Sequence, residues 1–186
     1  MRLENIYPIP LAVPERPVFT IARRLFSPRQ CESIIHFAET HGRFYRSGGR
    51  DADRDVEIYY LRPQDLEWPF SKIGRAAAKA NVWNFALSGF GYAMRIQRYR
   101  RGGFTGQHID FEYETGDPSK LTAMVTLVPR GKWTGGRIKI GNHALSPSPN
   151  QGDCLFFPSF YPQWVTRIEK GTRITLTAWL VGPNYV

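Results

Sequence analysis

The chain has 186 residues, 42% hydrophobic and 14% aromatic, which suits one domain with a full core and excludes a disordered chain. No apolar run approaches the roughly 18 residues that span a bilayer, and two cysteines with four histidines exclude a Cys-rich structural zinc site. The 25 basic against 16 acidic residues, formally +9, raise the question of a polyanionic partner. The basic residues are dispersed, however. Their densest cluster is Arg95, Arg98, Arg100 and Arg101, with no helix-turn-helix, zinc-finger or RNP-type pattern around it. The opening Met-Arg-Leu-Glu-Asn-Ile-Tyr-Pro carries no apolar signal region. Cys31 and Cys154 are therefore expected as free thiols in a reducing, cytoplasmic compartment.

Residues 1–17 hold Pro8, Pro10, Pro14 and Pro17 and read as an extended lead-in. Val18 to Ala22 is β-prone. Ser27, Pro28 and Gln30 have the spacing of a helix N-terminus with a capping box. Apolar residues at Cys31, Ile34, Ile35, Phe37 and Ala38 continue that helix to Gly42. Arg43 to Asp55 is polar and Gly-rich and reads as a mobile loop. Val56 to Leu61 reads as a strand. Asp65 to Pro69 opens a second helix that runs to Asn81. After it come candidate strands at Val82–Leu87, Tyr92–Tyr99, Phe104–Asp110, Leu121–Val128, Arg137–Ile140, Gly152–Pro158, Gln163–Ile168 and Arg173–Val181, separated by turn residues. Phe111 to Ser119 reads as a second mobile loop. With no repeat and no linker, the chain is expected to be a single domain over residues 1–186. Two helices followed by many short strands predict a mainly β (α+β) fold, a sandwich or jelly roll with two N-terminal support helices.

Chemistry concentrates in Gln107-His108-Ile109-Asp110. On a strand, His108 and Asp110 share a face. An imidazole and a carboxylate side by side are two thirds of the facial site that holds non-haem Fe(II). His36, His41 and His143 sit at a helix or in a turn and read as solvated residues.

The motifs "VWNFALSGF", "RIQRYRRGGF", "GGFTGQHID" and "GDCLFFPSFYPQWVTRIEKGTRITLTAWLVGP" resemble the Fe(II)/2-oxoglutarate-dependent dioxygenases, in their prolyl 4-hydroxylase-like branch. The resemblance runs from about Val18 to Pro183 and implies a double-stranded β-helix. It implies iron on His108 and Asp110, with 2-oxoglutarate as cosubstrate and O₂ as oxidant. It places Arg173 on the far carboxylate of 2-oxoglutarate, a task suited to a guanidinium fork, with Tyr99 and Thr175 beside it. Ten residues before Arg173 the family has a third metal ligand, His; here that position is Gln163. A glutamine offers only an amide oxygen, a weaker and harder ligand than imidazole. Glu112, two residues beyond Asp110, is a remote substitute.

The implied reaction is hydroxylation of a prolyl or other amino-acid-type substrate, with release of succinate and CO₂. Peptides, amino acids or small molecules are the implied partners. Arg95, Gln97, Tyr59 and Trp133 are candidate substrate contacts. Two alternatives stay open: a catalytically silent jelly-roll binding protein, because of Gln163, and a nucleic-acid-modifying oxygenase, because of the charge.

Overall fold

A computed structural model describes residues 16–48, 52–91, 93–110, 116–146 and 148–184. Helix α1 (Pro28–His41) starts as its sequence dictates. Gln30 N donates to Ser27 Oγ at 3.2 Å and Ser27 N donates to Gln30 Oε1 at 3.0 Å, so two amides that the helix leaves unpaired are satisfied. Its buried stripe is Cys31, Ile34 and Ala38. Helix α2 (Glu67–Ala80) buries Phe70, Ile73 and Ala77 likewise. Full burial of one such side chain as Ile34 contributes about 2 kcal/mol.

Fourteen strands follow the chain among the described residues. They are β1 (Thr20–Ala22), β2 (Tyr45–Gly48), β3 (Arg54–Leu61), β4 (Gly89–Phe90), β5 (Met94–Tyr99), β6 (Phe104–His108) and β7 (Ser119–Thr126), then β8 (Trp133–Gly135), β9 (Ile138–Ile140), β10 (His143–Ala144), β11 (Cys154–Pro158), β12 (Gln163–Val165), β13 (Ile168–Gly171) and β14 (Arg173–Val181). One curled antiparallel sheet takes the order β1-β11-β7-β14-β5-β3-β6-β12-β9-β10, with β2 on β3 and β4 on β14; β8 and β13 form a separate pair. This is the expected mainly β jelly roll with two helices outside it.

The two faces of the central strands have different tasks. Met94 and Ile96, Leu121, Ala123 and Val125, and Leu176, Ala178 and Leu180 join the helices in the main core. The alternate residues of β5 and β14 turn inward. They are Arg95, Gln97 and Tyr99, and Arg173, Thr175, Thr177 and Trp179. Polar residues inside a curled sheet are the fold's way of lining a cleft.

Several expectations change. Val82–Leu87 is not a strand: Asn81 Nδ2 donates to Phe85 O at 2.8 Å and Phe85 N donates to Asn81 Oδ1 at 3.1 Å, closing a local loop that competes with strand pairing. Arg43–Asp55 is not simply a loop, because Tyr45–Gly48 pairs with β3 from Tyr45↔Ile58 to Gly48↔Asp55. Residues 49–51, the lead-in residues 1–15 and residues 111–115, including Glu112, lie outside the described residues. Cys31 and Cys154 are free and buried; burial pushes the Cys31 thiol up to about 12 and the Cys154 thiol well above its ordinary value. Among the described residues no helix is long and apolar enough to cross a membrane.

Candidate active site

Strand β6 ends at His108, and Asp110 lies just beyond it, so the two are not on one continuous strand as expected. They still meet: His108 Nε2 stands 3.5 Å from Asp110 Oδ1. Backbone contacts explain this. Asp110 N donates to Ser159 O at 2.9 Å, which fixes the residue after the strand has ended. Thr122 Oγ1 donates to Asp110 Oδ2 at 3.0 Å. His108 Nδ1 is 2.9 Å from Gly106 O. A carbonyl only accepts, so Nδ1 carries the proton and Nε2 is turned toward Asp110. Burial disfavours the imidazolium, but Asp110 and the Gly106 carbonyl outweigh it, and the His108 pKa is held above its ordinary value.

Gln163 completes the cluster. It sits opposite His108 in the β6–β12 register, is buried, and its Nε2 donates to Asp110 Oδ2. Among the described residues no group of three His, Cys, Asp or Glu side chains stands together. A metal here would have two ligands of ordinary strength, His108 and Asp110. Its third donor would be the amide of Gln163, which offers Oε1 when turned about its last bond.

Arg173 is 1% exposed. Its Nη2 reaches only the Met124 sulfur, at 3.7 Å, its guanidinium lies 5.5 Å from the centre of the Tyr99 ring, and its Nη1 is buried with no partner among the described residues. Burial lowers its pKa to about 10, partly opposed by Tyr99, which still leaves it cationic at neutral pH. Thr175 Oγ1, two residues on and on the same face, is buried and equally unpartnered. A buried cation and a buried hydroxyl without acceptors form a slot suited to a carboxylate by their chemistry. Tyr99 OH is 3.1 Å from Thr105 Oγ1, and burial raises the Tyr99 pKa despite Arg173. These residues therefore fit an iron ion with a bound dicarboxylate.

The cleft above is lined by His108, Asp110, Gln163, Tyr99, Arg95 and Gln97, among others. Gln97 Oε1 accepts from Thr177 Oγ1 at 2.8 Å. Two expected contacts lie elsewhere. Tyr59 is on the helix-side face of β3, 5.9 Å from the Phe44 ring; its neighbour Tyr60 is the residue beside Arg95. Trp133 is buried beneath the cleft with Val56, Ile58, Tyr99 and Val165 and does not line it. Trp179, which the sequence reading missed, does line it; its place on the Arg173 face of β14 was the available signal.

Residues 94–181 match the family model of the 2OG-Fe(II) oxygenase superfamily. A PKHD-type hydroxylase of Idiomarina loihiensis is 30% identical over 96 residues, 48% of this chain and 44% of that protein; the matched stretch thus spans under half of that relative. Two solved structures share the fold. The viral collagen prolyl hydroxylase of Paramecium bursaria Chlorella virus-1, in its 2OG complex, has a TM-score of 0.69 at 18% identity, covering 89% of this chain and 97% of that one. The prolyl hydroxylase of Trichoplax adhaerens, in complex with a hypoxia inducible factor peptide fragment, has a TM-score of 0.71 at 17% identity, covering 88% and 83%.

Proposed function

We propose that the chain is an Fe(II)- and 2-oxoglutarate-dependent oxygenase, because residues 94–181 match the family model of the 2OG-Fe(II) oxygenase superfamily. Its substrate in this reading is a prolyl or other amino-acid-type residue, and its by-products are succinate and CO₂. The observation that carries the reading is Arg173: a buried guanidinium with an unpaired Nη1 beside an unpaired Thr175 hydroxyl, in the same interior as His108 and Asp110.

His108, Asp110 and Gln163 hold the metal in this reading. Iron with 2-oxoglutarate would supply the oxidising chemistry. The chain's own residues bind and orient. Arg173 and Thr175 take the far carboxylate of 2-oxoglutarate, Thr122 and the Ser159 carbonyl hold Asp110 in place, and Gly106 fixes the His108 tautomer. The apolar floor of Val56, Ile58 and Val165 keeps water from the reacting face. The names of the similar proteins, prolyl and PKHD-type hydroxylases, support a substrate of the amino-acid type.

The test is Fe(II)-dependent formation of succinate from 2-oxoglutarate, with 2-oxoglutarate affinity measured in parallel. Binding and turnover are expected in the wild type and loss of both in Arg173→Met. Absence of succinate and of 2-oxoglutarate binding at saturating iron, in the wild type and in Gln163→His, sinks the reading. One observation favours a second reading, a silent binding protein: the Gln163 amide already satisfies Asp110. That reading predicts 2-oxoglutarate binding without turnover, with turnover restored by Gln163→His.

A further inference from the structure

We propose that Arg95 is a recognition site for a carboxylate carried by the substrate. The proposal rests on the oxygenase reading for which group reacts, but not for the anion site itself. Arg95 lines the same cleft as His108 and Asp110. Its guanidinium carbon lies 4.5 Å from the centre of the Trp179 ring and 5.6 Å from that of Tyr60. Strand register produces this placement: Arg95 pairs with Tyr60 on one side and with Thr177 on the other, and Trp179 follows two residues on. A cation packed close to two rings gives up part of its conformational freedom before any ligand arrives.

Arg95 Nε is buried and has no hydrogen-bond partner among the described residues. The other arginines nearby differ. Arg98, on the opposite face of β5, is paired with Glu57 and Glu39, and Arg54 is paired with Asp53 at 3.3 Å. Arg173 serves the deep slot already described. Among the described residues the only carboxylate lining the cleft is Asp110, which belongs to the candidate metal site. A cleft-lining guanidinium whose Nε has no partner is therefore suited to an anion brought by the ligand. Neither ring offers a charged acceptor, and the donors in the guanidinium plane match a planar carboxylate by two parallel hydrogen bonds. The carboxylate comes from a free amino acid or from an acidic side chain of a peptide; both present the same group to Arg95.

The experiment titrates matched pairs into the full chain with Mn(II) and saturating 2-oxoglutarate, without oxygen. One pair is L-proline and L-prolinamide. The other is glycyl-prolyl-glutamate and glycyl-prolyl-glutamine, both C-terminally amidated. In one pair the carboxylate member binds at least tenfold tighter, and which pair it is identifies the source. Arg95→Gln reduces the preference below twofold and leaves the 2-oxoglutarate affinity within twofold of wild type. Arg101→Gln, the loss of an exposed charge, leaves the preference intact. Should Arg95→Gln not fold, Arg95→Met keeps an apolar side chain beside the rings and serves the same purpose. A wild type that does not discriminate in either pair, or a preference that survives loss of Arg95, overturns the proposal. If Mn(II) and 2-oxoglutarate do not bind, the oxygenase reading fails. The same pairs titrated into the metal-free chain with Arg173→Met then still decide the role of Arg95.

Discussion

Gln163 stands directly opposite His108 across the antiparallel β6–β12 pair, and its side-chain amide donates to the Asp110 carboxylate. Where a metal would need three donors, the chain thus has two good ones and an amide that is occupied by one of them. Gln163→His replaces a weak oxygen donor with imidazole and releases Asp110 from its hydrogen bond. Mn(II) affinity is expected to rise by on the order of tenfold, about 1.4 kcal/mol. Titration followed by electron paramagnetic resonance measures it; equal affinities in the two proteins remove Gln163 from the ligand set.

The buried cation Arg173 makes an opposite pair of predictions with and without ligand. Alone, it is a charge in the interior with an unpaired nitrogen, and Arg173→Met is expected to raise stability by roughly 1–4 kcal/mol, as when other buried charges are replaced by apolar groups. With 2-oxoglutarate at a hundred times its Kd, the wild type gains about 2.7 kcal/mol and the variant gains nothing. Urea unfolding with and without 2-oxoglutarate reads both effects. A variant that still responds to the ligand places the carboxylate elsewhere.

Gly106 positions His108 in two ways: its carbonyl accepts from the imidazole, and its backbone lies against β3. A Cβ at Gly106 would stand 2.6 Å from the Asp53 carbonyl oxygen, which is backbone and does not yield easily. Gly106→Ala is expected to destabilise the protein by about 1–3 kcal/mol and to weaken Mn(II) binding by displacing the imidazole. Unchanged metal affinity would show that β6 absorbs the strain without moving His108.

Much of this arrangement was legible in the chain because its signals are local. Ser27, Pro28 and Gln30 specify the start of α1 by themselves, and the spacing from Gln163 to Arg173 takes its meaning from the family that the closing hairpin resembles. Other features depend on contacts far apart in sequence. Tyr59 and Tyr60 could not be ranked because β3 has neighbours on both faces, helix-side core on one and cleft on the other, so the Val-Glu-Ile-Tyr-Tyr-Leu run shows no clean alternation. The polar β2 is a strand only because β3 pairs with it. Val82–Leu87 is apolar enough for a strand, but the Asn81 side chain closes it into a loop. The Arg95 stack joins three strands, β3, β5 and β14, and only their register brings it together.

Asp153 gives the fold a sensitivity to acid. The carboxylate, 1% exposed, accepts from Arg24 N at 2.9 Å, from Arg23 Nη1 at 2.9 Å and from Asn150 N at 3.0 Å. It thereby ties the β1–α1 connection, where Arg24 has a φ of 50°, to the start of β11. Burial opposes the charge, but these donors outweigh it and hold the Asp153 pKa below its ordinary value. A group whose pKa is lower folded than unfolded contributes stability above the unfolded value, near 4, and loses it as pH falls through the folded value. Glu57, beside Arg98 and Arg100, has the same sign. Stability measured by urea unfolding is therefore expected to fall below about pH 4. Asp153→Asn is expected to cost on the order of 2 kcal/mol at pH 7 and to flatten the acid limb. A variant with the wild-type slope would assign the acid sensitivity to the other carboxylates.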